Sequence, residues 1–152
     1  MISAKTKLRP TILIGVIAIA MGSGCLASAQ TKLPNPVLVL VDTEFYQANG
    51  KNFARYRYEV HNRDAYPDSL FAAAPALEPC GSNTNASRTW VDFYDMRGKR
   101  LYGFCALRSH NDLEGIWFGL EADVVPPSWV YIEMTDRQTG TKYKSNLADT
   151  TL

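Results

Sequence analysis

The sequence predicts an all-β domain, an antiparallel β-sandwich of about seven or eight short strands, with a small closed β-barrel as the alternative. Three observations carry this expectation. Short runs rich in Val, Ile, Tyr, Phe and Trp recur between residues 37 and 145, and several alternate apolar with polar residues. Clusters of Gly, Pro, Asn and Asp separate these runs at turn-sized intervals. No stretch after residue 30 sustains a helical period.

The first thirty residues are not expected to belong to that domain. Lys5, Lys7 and Arg9 precede the apolar run Thr11 to Met21 (TILIGVIAIAM), and small residues follow, the three-part layout of a secretory signal peptide. Gly22, Ser23 and Gly24 end the run well short of the roughly 20 apolar residues that a membrane span needs. Ala27-Ser28-Ala29 fits a signal-peptidase site, which makes residues 1–29 the signal peptide and 30–152 a single β-sandwich domain beginning at Gln30. The competing segment Gly22-Ser23-Gly24-Cys25 resembles a bacterial lipobox, apart from Gly22, where an aliphatic residue is usual. In that scheme Cys25 is the lipidated first residue. The expected location is therefore secreted or periplasmic, with a membrane-anchored lipoprotein as the alternative and no transmembrane segment in the mature chain.

Taken in order, the first run is Val37 to Val41 (VLVLV), apolar throughout with three β-branched Val, as expected of a buried strand. Asn49-Gly50 marks a turn. From Phe53 to Val60 the pattern alternates, with Ala54, Tyr56, Tyr58 and Val60 on one face and Arg55, Arg57 and Glu59 on the other, as in a half-exposed strand. Asp64 to Ser87 contains Pro67, Pro75 and Pro79 and reads as the longest irregular region, with Leu70 to Ala74 a short strand or helical turn. Thr89 to Tyr94 and Arg100 to Leu107 flank the turn Asp95 to Lys99 and form a second hairpin. Ile116 to Glu121 is a further strand, with Gly119 as a bulge candidate. Pro126-Pro127 breaks the chain, and Trp129 to Thr135 and Thr141 to Ser145 close it as a last hairpin across Gly140. There Val130, Ile132 and Met134 face inward, leaving Trp129, Tyr131 and Glu133 outward or against a second sheet.

Cysteine usage agrees with export. Cys25 is removed or lipidated in either scheme, which leaves Cys80 and Cys105 as a pair. A bridge between them would tie the long irregular loop to the second hairpin, and closing a loop of that length stabilises by about 3.5 kcal/mol on chain-entropy grounds. No CxxC is present, and two cysteines with two scattered histidines lack the spacing of a zinc site.

The segment Tyr56-Arg57-Tyr58-Glu59-Val60-His61-Asn62 followed by a turn, and the closing hairpin from Pro127 to Asn146, resemble strand patterns of immunoglobulin-like and fibronectin type III domains. The resemblance implies the architecture of such sandwiches and nothing about activity. Trp90 follows Cys80 by ten residues, as an immunoglobulin core Trp would, but Cys105 comes 15 residues later, early for a bridge between sheets. Tyr102 precedes Cys105 by three residues, where the tyrosine corner needs two.

Charge narrows the partners. The leader holds three of the 16 basic residues and none of the 15 acidic ones, which leaves 13 against 15, a net −2. Such a chain lacks the footprint of a nucleic-acid binder. All 17 aromatics (three Trp, eight Tyr, six Phe) follow the leader. Trp117, Trp129 and Tyr131 are the candidate contacts: with Trp117 and Trp129 on one exposed face they would stack on a sugar ring or anchor a protein; otherwise they fill the core. His61 to Asp68 gathers ligand-type atoms after a strand, but reads as a polar turn better than as a calcium loop. Asp92, Asp95, Asp112, Glu114, Glu121 and Asp123 are carboxylates from which a glycosidase pair would have to come. Ser69 and Ser109 lack a nucleophile elbow. No P-loop, GxGxxG or HExxH occurs, and no cofactor or metal is expected. The expected function is a non-enzymatic binding domain with a protein partner, with a carbohydrate-binding module or a small secreted hydrolase as alternatives.

Overall fold

The computed structural model describes residues 32–151. The leader, Cys25 and the two cleavage positions lie outside the described residues. Strands β1 (Leu38–Ala48) and β2 (Lys51–Val60) form a hairpin closed by Asn49 and Gly50, whose φ values of 50° and 74° suit a tight two-residue turn. Strand β5 (Ile116–Glu121) pairs with the other edge of β2, giving a three-stranded antiparallel sheet in the order β1-β2-β5.

The second sheet has the order β4-β3-β6-β7, built from β3 (Thr89–Asp95), β4 (Arg100–Phe104), β6 (Trp129–Asp136) and β7 (Thr141–Lys144). A short β8 (Ala148–Asp149) also pairs with β6. β7 and β8 follow each other along one edge of β6, offset by one residue. At the interruption Ser145 keeps the ladder, its backbone and hydroxyl bonding both polar groups of Ile132, and the extra residue Asn146 is freed. Its carboxamide turns to the other sheet, accepting from the Leu38 amide and donating to the Leu38 carbonyl at 2.8 and 3.0 Å.

The two sheets face each other and neither closes on itself, so the domain is a β-sandwich and not the barrel alternative. Period-two alternation supplies the core. Ala54, Tyr56, Tyr58, Val60, Ile116 and Phe118 point in from one sheet, and Val91, Phe93, Val130, Ile132 and Met134 from the other. Phe93 reaches between Tyr58 and Phe118, with ring centroids 5.4 Å from each. Offset and tilted ring pairs of this kind add about 0.5–1.5 kcal/mol each beyond the area they bury.

Several elements depart from the sequence reading. The apolar run at Val37 to Val41 opens an edge strand, not a buried one: Leu38 is 2% exposed but Val39 is 41% exposed, because only one face of its sheet meets the other. β1 also continues to Ala48 after a bulge between Leu40 and Asp42. Gly119 is not a bulge, since β2 and β5 keep register past it; a Cβ there would make ordinary contact with the Tyr46 hydroxyl at 3.4 Å. β4 stops at Phe104, and single 3-10 turns form at Arg63–Ala65, Asp68–Leu70 and His110–Glu114.

The two ends of the sandwich differ. At one end the loops 61–88 and 105–115 fold over the core and bury Tyr66, Leu70, Phe71, Leu107 and Leu113. Tyr66 donates to the Pro34 carbonyl at 2.7 Å, and Asn62 bonds Val37 and Asn35, so the incoming chain is held there too. Cys80 and Cys105 are bonded, with Cα atoms 6.3 Å apart, and Ser87 donates to the Cys105 carbonyl beside them. At the other end sit the turns 49–50 and 96–99, the loop 122–128 and, against that loop, the segment after β8, where Thr150 bonds Ser128 and Pro127.

Candidate functional site

The sparsely covered end is where apolar side chains remain in solvent. Register places Phe45, Ala54 and Leu120 in one row across the inner face of the three-stranded sheet, at the end where the turns lie. Phe45 is 73% exposed, Met96 60%, Val124 48% and Val125 88%. Large apolar groups are tolerated singly on any surface, but a cluster of them at one end marks a contact region.

Between these turns is a cleft of about 370 Å³. Leu101 of β4 and Leu120 of β5, both packed against the core, form its deep side. Met96, Val124, Val125, Pro126 and Pro127 form its walls, with Arg97 and Lys99 also on its lining. The local sequence explains the shape. Pro126-Pro127 cannot extend a strand, so the chain between β5 and β6 crosses from one sheet to the other as a stiff loop. Asp95 builds the facing turn: its Oδ1 accepts from the Arg97 and Lys99 amides, both at 2.8 Å, and Gly98 takes a φ of 82°. β4 and β5 are the outermost strands of their sheets on this side, so the cleft lies between two strand edges.

The aromatic candidates lie elsewhere. Trp117 and Trp129 are on the outward faces of different sheets, so they do not form one surface. Trp117 carries the Arg55 guanidinium 4.6 Å from its ring centroid and stacks on Tyr102 at 5.4 Å. Arg55 also sits over Tyr46 at 4.7 Å and bonds Glu44 at 3.2 Å. Tyr131 stacks on Tyr94 at 5.3 Å and takes the Lys144 ammonium 4.0 Å from its centroid. Rings covered in this way serve the sheet surface and are not free platforms for a sugar. Trp129, 39% exposed, has no such cover.

Five of the six candidate carboxylates have partners within the chain, and the sixth, Asp123, is exposed in the loop after β5. Asp92 pairs with Arg100 and Glu121 with Lys51, at 2.7 and 2.6 Å, and Glu114 with Arg63 at 3.3 Å. Asp112 accepts from the Arg108 and Ser109 amides and, with Ser109, boxes the start of a 3-10 turn. The cleft contains one carboxylate, Asp95, already used within its turn, and so not the facing pair a glycosidase needs. His110 Nδ1 meets Asp68 at 2.7 Å and its Nε2 faces Asp64 at 3.7 Å, so its neighbours are acids and not a nucleophile. Asp68 is accordingly held below the usual carboxylate range, first by the His110 backbone amide and then by its ring. His61 is exposed beside Glu59. Among the described residues no group of three His, Cys, Asp or Glu side chains is placed to hold a metal ion.

The chain matches no protein-family model, no curated protein and no solved structure.

Sequence reasoning missed the cleft. Most of its residues read as turn and linker, and what makes them a site is the convergence of two separate connections on the edges of β4 and β5. The one local signal was Val124-Val125 beside Pro126, two β-branched apolar residues where solvent-exposed turns usually carry polar ones.

Proposed function

We propose that this chain is an exported, non-enzymatic interaction domain that holds a protein partner at the open end of its sandwich. The observation that carries this reading is the concentration of exposed Met96, Val124 and Val125 around an apolar cleft, at the end left uncovered while the other is closed by loops and a disulfide. Export is supported by the leader pattern and by the bonded Cys80 and Cys105, a pairing that persists in oxidising compartments. The working form is secreted or periplasmic, or tethered through Cys25.

An immunoglobulin-like kinship of architecture fits the strand order. If β1, β2 and β5 take the places of strands A, B and E, and β3, β6 and β7 those of C, F and G, the fourth strand sits beside C and not beside E. On this mapping the B–C and F–G loops, which carry contacts in variable domains, fall at the closed end, and the cleft lies at the opposite one, between the C-to-fourth-strand turn and the E–F loop.

The test is site-directed photo-crosslinking in the producing cell. A crosslinker at Val125 is expected to give one discrete adduct, absent when Met96 and Val124 are changed to Asp, whereas one at Lys142 on an outer sheet face gives none. Equal adducts from both positions, or none from Val125, would overturn the proposal.

A further inference from the structure

Resting on that reading, we infer that the open-end cleft takes an extended peptide segment in which an apolar side chain is flanked by Asp or Glu. Three features of the cleft point to this occupant. Its walls are aliphatic and its volume, about 370 Å³, lies at the small end of binding pockets, enough for one or two apolar side chains and too little for a folded surface to enter.

Its charge is basic and unspent. Lys51, Arg55, Arg57, Arg63, Arg88, Arg100 and Lys142 each meet a carboxylate of their own chain. Arg97 and Lys99, which line the cleft, form no ion pair among the described residues. The acid that lines the cleft, Asp95, is turned to their backbone amides, where it fixes the turn that carries both cations. An acidic group on the ligand is the complement that the chain itself does not provide.

Strand edges supply the third feature. The cleft opens between β4 and β5, each with one neighbour in its sheet, so each has backbone donors and acceptors facing outward beside Leu101 and Leu120. An extended peptide satisfies such groups by adding as a strand, while its alternate side chains enter the pocket beside it. A lipid headgroup accepts hydrogen bonds but does not present the alternating donors and acceptors that a second strand brings to a strand edge. Further along, Tyr102 stacked on Trp117 bridges the two edges and limits the opening to the turn end.

Random-peptide display on the full chain tests the inference. Enriched sequences are expected to carry an aliphatic or aromatic residue within two positions of Asp or Glu. Their affinity is expected to fall about tenfold or more with R97E/K99E, the size of one good charge contact, and to vanish with V124D/V125D. Selection on R97E/K99E itself is expected to enrich basic flanks, a gain that a misfolded variant could not produce. Peptides lost with V124D/V125D but showing no acidic bias and no response to R97E/K99E would overturn this inference and leave the protein-contact reading in place. Failure to enrich any peptide, together with sedimentation on vesicles of phosphatidylcholine and phosphatidylglycerol in equal parts through the same residues, would overturn both in favour of a lipid surface. Binding of neither would overturn the peptide inference, while crosslinking from Val125 decides the protein-contact reading.

Discussion

Asn146 shows how much one side chain can hold in a small sandwich. Its carboxamide reproduces one rung of a β-ladder against Leu38 and so joins the edges of the two sheets. Asn146→Ala leaves both backbone groups of Leu38 without this partner and is expected to cost about 1–3 kcal/mol, measured by urea unfolding. Asp136 is a second such point. Its buried carboxylate, held at about 2 chiefly by the side-chain bond from Arg88, with Thr139 and the Gln138 amide adding, pairs bidentately with that guanidinium at 2.7 and 2.8 Å. A carboxyl with a lowered pKa in the folded state binds protons more readily when unfolded. Its contribution is therefore complete above the ordinary value of 3.8 and is lost as pH falls toward 2. About 2 kcal/mol of stability should disappear across that window. Asp136→Asn should remove this acid limb while lowering stability at neutral pH, a difference visible in unfolding curves taken at pH 7 and near pH 2.

Among the elements, the turn between β1 and β2 was the most readable, because Asn-Gly has a local cause: both residues adopt positive φ. A Cβ at Gly50 would touch nothing within 4 Å, so Gly50→Ala should lower stability through backbone strain alone, by about 1 kcal/mol in thermal unfolding. The alternation in β2 and β6 was equally legible, since a strand with one face in the core writes its period into the chain. β1 was misjudged for a physical reason. Val37, Val39 and Val41 are apolar without being buried, and a sequence cannot say whether a valine lies beneath a second sheet. The short β8 and the 3-10 turns left no periodic trace because each is less than two turns or pleats long.

For the molecule as a whole, the disulfide and the cleft lie at opposite ends, which separates stability from contact. Replacing Cys80 and Cys105 by Ser releases a loop closed across 25 residues and should cost about 3.5 kcal/mol by chain entropy. Peptide binding at the turn end should survive in variants kept below their unfolding temperature. Loss of binding in parallel with loss of the bridge would show that the ends are coupled through the core.

The sequence by itself determined the strand content, the hairpins, the inward residues of β2 and β6, and the pairing of two cysteines. All of these follow from local sterics, from a period of two, or from counting. Tertiary structure alone decided which strands share a sheet, and with that the fate of the aromatics. Trp117 and Trp129 are twelve residues apart in the chain but face away from each other on opposite outer surfaces, because β5 and β6 belong to different sheets. It also decided the site. Leu101, Leu120, Val125 and Arg97 share no motif and become neighbours only when two sheets stack and two connections meet beside the edges of β4 and β5. A pattern along a chain records what each residue needs from water; it does not record which distant segment arrives beside it.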